Sequence, residues 1–156
     1  QEVEQTSESI ISLGVRRVVI RTGVVLTKHG GALYRLLLPF KLFVGGPMGN
    51  GRQVLSWIHL DDEVKAIRFL IENQETSGIY NLTAPNPVTN AEMGKTIARV
   101  MRRPYYLPVP GFAMRLLFGE VAAVVLEGQR VIPTRLLESG FKFDYSTIEM
   151  ALENII

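Results

Sequence analysis

Cysteine is absent from this 156-residue chain. Disulfides, thiolate catalysis and zinc sites built on cysteine are therefore excluded. Long apolar runs are absent as well: the longest fall far short of the roughly 18 residues a membrane helix requires, so no membrane partner is expected. No charge of one sign dominates. The net charge is +2, and the basic residues are scattered (Arg16-Arg17, Arg102-Arg103, then singly). They do not form the stripe a nucleic-acid surface needs, and nucleic acid is not expected as a partner. Residues 1–9 are acidic and polar, so no signal peptide is expected to start the chain, and a cytoplasmic location is the default. What is present is ordinary for a globular protein, with 47% hydrophobic and 21% charged residues. The length suggests one domain or a large piece of one.

Residues 3–13 read as the end of an amphipathic helix closed by Gly14. Val15–Ile20 is a β-branched run and predicts a strand. Arg21-Thr22-Gly23 is expected to break it before Val24-Val25-Leu26. His29-Gly30-Gly31 is a turn, and 32–43 has helical period, with Pro39 as a kink or stop. The glycine-rich stretch 45–51 is a loop, and Gln53–His59 reads as a strand. Asp61 is expected to cap a helix over 62–73, whose apolar positions Val64, Ile67, Leu70 and Ile71 share one face. Ile79–Leu82 is another strand. Thr89 and Glu92 form a capping box for a helix over 91–101, which Pro104 stops. Residues 104–111 are an extended connector. Helices are expected at 112–118 and 120–127 and after Pro133, and Phe141–Phe143 is extended. Ser146 with Glu149 opens the last helix.

Up to residue 102 helices and strands alternate, which argues for a parallel sheet with crossover helices. Beyond 104 the chain is mostly helical and reads as a cap or lid. Val18-Val19-Ile20 is apolar on both faces, as in an interior parallel strand. Such a strand needs neighbours on both edges, and three or four strands barely supply them. The rest of the sheet is expected to lie upstream or to come from a second copy, since a bare apolar edge is a pairing hazard.

The motifs carry little chemistry by themselves. Gly46-x-x-x-x-Gly51-Arg52-Gln53 has P-loop glycine spacing, but Arg52 and Gln53 stand where Lys and Ser/Thr are required, and a strand follows. No G-x-G-x-x-G joins a strand to a helix, so pyrophosphate cannot be bound in the Rossmann manner. His59-Leu60-Asp61-Asp62 lacks further ligands to make a metal site, and reads better as a strand end and helix cap. No G-x-S-x-G is present, and nothing supports a triad of Ser56, His59 and an aspartate. Arg52 near Trp57 is either a fork for an anionic group or a solvated loop residue.

Several of these segments together resemble a known family. They are Arg21-Thr22-Gly23-Val24-Val25-Leu26, Gly45-Gly46-Pro47, Gly51-Arg52-Gln53 and Ser56-Trp57-Ile58-His59. Tyr80-Asn81-Leu82-Thr83-Ala84-Pro85, with Pro87, Thr89-Asn90 and Glu92, extends the likeness. So does the tail, through Pro108–Pro110, Leu126–Val131, Pro133 and Gly140-Phe141. The pattern resembles an epimerase/dehydratase-like branch of the extended short-chain dehydrogenase/reductase superfamily, represented by its C-terminal half. The resemblance implies the second half of a Rossmann-like parallel sheet over 1–103 and a small helical C-terminal domain over 104–156. It implies NADP or NAD in the full-length protein, with the glycine fingerprint and any Tyr-x-x-x-Lys upstream of Gln1, so no catalytic residue and no tight cofactor binding is expected here. It places Gly23, Val24 and Val25 beside the nicotinamide, and Arg52, Ser56, Trp57 and His59 toward the substrate cleft. Sugar-nucleotide epimerases carry an arginine where this chain has Leu55, which argues against such a substrate. The implied function is the substrate-side part of an NADP-dependent oxidoreductase or epimerase-like protein, incomplete alone. The alternatives are a non-catalytic module that senses a dinucleotide or binds a partner, some relatives carrying a cell-division label, and a fragment that assembles with its own copies through the sheet edge.

Overall fold

The structure is a computed structural model that describes residues 14–47, 49–106 and 128–156. The helices expected over 3–13, 112–118 and 120–127 lie outside the described residues. The described elements are β1 (Val18–Thr22), β2 (Val24–Leu26), α1 (Gly31–Lys41), β3 (Val54–Leu55), β4 (Trp57–His59), α2 (Leu60–Glu72), β5 (Gly78–Leu82), β6 (Val88–Thr89), α3 (Asn90–Met101), α4 (Thr134–Glu138) and α5 (Ile148–Ile155). The class is α/β, as expected, with parallel pairing of β1 to β5 and of β2 to β4. A short antiparallel pair, β3 with β6, stands beside them.

The break expected at Arg21 falls instead at Gly23, because Arg21 and Thr22 still pair with Asn81 and Leu82. At Gly23 the chain changes partners. Gly23 N–H donates to Leu82 O at 3.0 Å, and Val24 N–H donates to Ser56 O at 2.8 Å. β1 and β5 run side by side and then part. β4 enters the fork, with β2 on one side and Ala84 on the other, whose N–H donates to Trp57 O. The single strand expected over Gln53–His59 is thus two strands in two different pairs, divided at Ser56.

Successive residues of a strand face opposite sides, and β4 shows it. Trp57 joins one apolar cluster, with Leu33, Phe40, Met93, Ile97 and Leu152 from α1, α3 and α5. Ile58 joins the other, with Ala66, Leu70, Tyr80, Leu82, Leu136 and Phe141. Both are fully buried, and each such side chain contributes about 1.5–3 kcal/mol of transfer free energy.

The cap of α2 differs from expectation. His59, in extended conformation, is the N-cap, and its Nδ1 accepts from Asp61 N–H at 3.1 Å. Asp61 lies in the first turn. The apolar face of Val64, Ile67, Leu70 and Ile71 is only partly buried. Asp62, Glu63, Ala66 and Leu70 are buried, whereas Val64 and Ile71 are 58% and 62% exposed. Asp62 is turned inward because its two oxygens accept from Asp144 and Tyr145 N–H at 2.9 Å each, docking the C-terminal segment on α2. Arg16 closes the other end of α2, donating to the carbonyls of Leu70 and Ile71.

Pro39 neither stops nor excludes the helix; α1 runs two residues past it and ends where Phe43 turns left-handed (φ 62°). The Thr89–Glu92 capping box of α3 is present, and α3 ends at left-handed Arg102, ahead of Pro104. The cap of α5 is Thr147, one residue beyond the expected Ser146.

The partners of β1 bear on the interior-strand expectation. Among the described residues one edge of β1 is paired with β5 and the other is unpaired. Beside it Val18, Ile20, Ile67, Leu70, Ile71 and Arg16 line a groove of about 230 Å³. By contrast, the outer edge of β5 is covered: Arg135 on α4 donates to Ile79 O and Ser77 O and lies over the Tyr80 ring.

Candidate ligand-binding site

The fork between β1 and β5 opens a cavity of about 380 Å³ at the C-terminal ends of the parallel strands. Ligands of open parallel sheets bind in such crevices, where neighbouring strands part. The lining comes from the β1–β2 junction (Arg21 to Val24), from β3 and Ser56, from Asn81 and Thr83, and from Gln129 and Val131 of the tail.

Gly23 is the narrowest point. A Cβ there would stand 2.7 Å from Ser56 O and 2.9 Å from Thr83 Cγ2. Its φ does not lie in the left-handed region, so glycine is required here for space: three backbone segments meet within hydrogen-bonding distance. The absence of a side chain also leaves the Gly23–Val24 backbone accessible at the cavity surface.

Of the residues expected to form the site, Gly23, Val24 and Ser56 line this cavity. The others do not. Val25 points away and packs with the Ile58 cluster. Arg52 is exposed in the glycine loop, its N–H held by Asn50 Oδ1 at 2.9 Å. Trp57 is fully buried and donates through Nε1 to Asn86 O at 3.0 Å. His59 is buried, caps α2 and stacks on Tyr145 with ring centroids 3.8 Å apart. Because Nδ1 accepts a backbone N–H, the proton of the neutral ring sits on Nε2; that atom has no hydrogen-bond partner among the described residues.

Ser56 Oγ donates to Gln129 O at 2.6 Å and accepts from Val131 N–H at 2.8 Å. Its hydroxyl is thus committed to the tail, while His59 is turned to Asp61, and the two do not form a nucleophile–base pair. Among the described residues no three metal-ligating side chains converge, and no helix is long and apolar enough to cross a membrane.

Sequence reasoning missed Arg21, Asn81, Thr83, Gln129 and Val131 as cavity residues. They come from segments about 50 residues apart, brought together only by the β1–β5 pairing and the tail's return. Behind the cavity lies a buried carboxyl also missed: Glu63, whose Oε1 accepts from Thr22 Oγ1 at 2.9 Å. Burial pushes its pKa above the ordinary carboxylate value, and the Thr22 hydrogen bond only partly opposes this. Among the described residues its Oε2 has no hydrogen-bond partner.

Residues 109–155 match a family model described as "Domain of unknown function (DUF1731)". The chain is 46% identical over 153 residues to the epimerase family protein YfhF of Bacillus subtilis, covering 98% of this chain and 50% of that protein. It therefore spans about half the length of the curated relatives it matches. In three dimensions it is similar to the human epimerase family protein SDR39U1 (isoform 2), solved with NADPH. The TM-score is 0.83 and the identity 39%, over 90% of this chain and 48% of that one. The UDP-glucose 4-epimerase of Thermus thermophilus, solved with NAD, shares the fold at a TM-score of 0.68 and 17% identity, over 97% of this chain and 50% of that one. The chain is thus similar to epimerase family proteins over about half of their length, and its fold is similar to the C-terminal part of epimerase Rossmann-like structures.

Proposed function

We propose that this chain is the substrate-side part of an NADP(H)- or NAD(H)-dependent, cytoplasmic oxidoreductase or epimerase-like protein, and is not catalytically complete alone. The observation that carries this is the cavity at the β1–β5 fork, where Gly23 exposes backbone at the C-terminal end of a parallel strand. The NADPH in the human relative's crystal supports the cofactor class. Gly23 and Val24 would meet the nicotinamide end through backbone atoms, with Val25 packed behind them. Ser56 would serve the substrate side, Arg52 offers a fork to an anionic group, and Trp57 and His59 would hold the loops in shape. The unpaired β1 edge and the exposed Ile20 and Ile71 beside it are where the upstream half of the protein would complete the sheet, or a second copy would pair.

One observation favours a second reading, a non-catalytic dinucleotide sensor. The side chains that the described residues bring to the cavity are hydroxyls, carboxamides, aliphatics and one guanidinium. None of these types titrates near neutrality, so any general acid or base comes from elsewhere in the protein.

Titration with NADPH, followed by nicotinamide fluorescence, tests the proposal. The full-length protein is expected to bind in the micromolar range and the 156-residue chain alone to bind far more weakly. Micromolar affinity in the isolated chain would overturn the division of labour. A full-length protein that binds NADPH yet turns over no carbonyl or sugar substrate would favour the sensor.

A further inference from the structure

At Ser56 the chain leaves its pairing with β6 and joins β2, and the Ser56 carbonyl is taken by Val24 N–H. The tail arrives alongside. Gly128 (φ 65°) sits so close that a Cβ would stand 2.8 Å from Val54 N, and Gln129 N–H donates to Val54 O at 2.9 Å. Among the described residues, no backbone group of this strand beyond Val54 continues the ladder to the tail. The Ser56 hydroxyl substitutes for it, donating to Gln129 O at 2.6 Å and accepting from Val131 N–H at 2.8 Å. One side chain thereby satisfies a carbonyl and an amide of the tail, and Gln129 and Val131 become part of the cavity lining.

We propose that Ser56 is a positioning residue whose hydroxyl holds Gly128–Val131 as a wall of the cavity. Through that wall the module matched over 109–155, described only as a domain of unknown function, takes part in ligand binding. The proposal deepens the reading of the cavity as a ligand site and rests on it. Alanine at 56 would leave Gln129 O and Val131 N–H without their partner, whereas threonine retains a hydroxyl that can donate and accept. The wall also brings Gln129 to the cavity lining. It faces the same cavity as Asn81, so the two offer a ligand both donors and acceptors.

The test uses the full-length protein, with NADPH as probe and amide hydrogen exchange as a second readout. Ser56→Ala is expected to weaken NADPH binding about tenfold, the loss of one or two hydrogen bonds' worth of wall stability. It should also speed exchange at Val131 by a similar factor or more, and Ser56→Thr should restore both. If Ser56→Ala does not fold, Val131→Pro removes the same bond from the tail side; since proline has no amide, its readouts are weaker NADPH binding and faster exchange at Gln129 N–H, which donates to Val54 O. Unchanged exchange at Val131 would overturn the latch. Faster exchange with unchanged NADPH affinity would overturn the wall's part in binding. Failure of the unsubstituted protein to bind NADPH would instead remove the proposed cofactor reading and with it the wall's part in cofactor binding, while Val131 exchange would still decide whether Ser56 holds the tail.

Discussion

Gly23→Ala adds one methyl group at the junction where β1 becomes β2. The new Cβ would stand 2.7 Å from Ser56 O and 2.9 Å from Thr83 Cγ2. Thr83 can adjust its rotamer, but it is buried. Ser56 O can retreat only by lengthening its 2.8 Å bond from Val24 N–H, and that bond begins the β2–β4 ladder. Overpacking of this kind costs about 1–3 kcal/mol, and the weakened hydrogen bond adds about 0.5–1.5 kcal/mol. The sum, about 2–4 kcal/mol, corresponds to a Tm lowered by about 5–15 °C in a protein of this size. Thermal unfolding followed by circular dichroism measures it. Gly30→Ala is the control. Gly30 has φ 88° and ψ −160° and nothing within 4 Å of a built Cβ, a conformation essentially restricted to glycine, so it tests backbone strain without crowding, worth about 1–3 kcal/mol. A Tm for Gly23→Ala within about 2 °C of the parent would refute the claim that three backbone segments are pinched together at this point.

Other outcomes follow from the buried acids on α2. Asp62→Ala removes the acceptor for Asp144 and Tyr145 N–H from a fully buried position. It is expected to cost about 3–5 kcal/mol, from two charge-assisted hydrogen bonds and the amides left behind, as read by urea unfolding. Glu63→Gln keeps an acceptor for Thr22 but cannot ionise. Burial raises the Glu63 pKa above the ordinary carboxylate value, so the folded state holds this proton more tightly than the unfolded state. The stability tied to that proton is fully present below the unfolded pKa and is lost as pH rises through the folded one. The glutamine variant should therefore gain on the parent as pH rises through that window, and a gain that appears only on acidification would contradict the assignment.

Much of the fold was legible because its local signals agree. The Thr89–Glu92 capping box, the strand at Val18–Ile20 and the glycine loop at 45–51 each have a strong short-range cause. Failures arose where tertiary contacts decide. Val64 and Ile71 share an apolar helical stripe with Ile67 and Leu70, yet they are exposed and Asp62 and Glu63 are buried. Nothing local says that Asp144 and Tyr145, some 80 residues on, will bring their amides to Asp62. Ile67 and Ile71 of this stripe line the groove beside the unpaired β1 edge. Gly23, Val24 and Ser56, singled out through the family pattern, line the cavity. Trp57 and His59, from the same pattern, are buried and hydrogen-bonded to backbone. Gln129 and Val131 were not assigned to the cavity, because a hydroxyl bridging to a chain segment more than 70 residues away leaves no periodicity to read.

The central claim is that β1 is an interior strand of a larger sheet. Gly23 N–H faces β5, as do the alternate amides before it, so the Ile20 N–H points to the unpaired edge. Amide hydrogen exchange at Ile20, measured by NMR in the 156-residue chain and in the full-length protein, tests this most directly. Exchange should be close to unprotected in the chain alone and slowed by at least about a hundredfold, about 2.7 kcal/mol of opening free energy, in the full-length protein. An Ile20 amide that stays unprotected in the full-length protein would contradict the account.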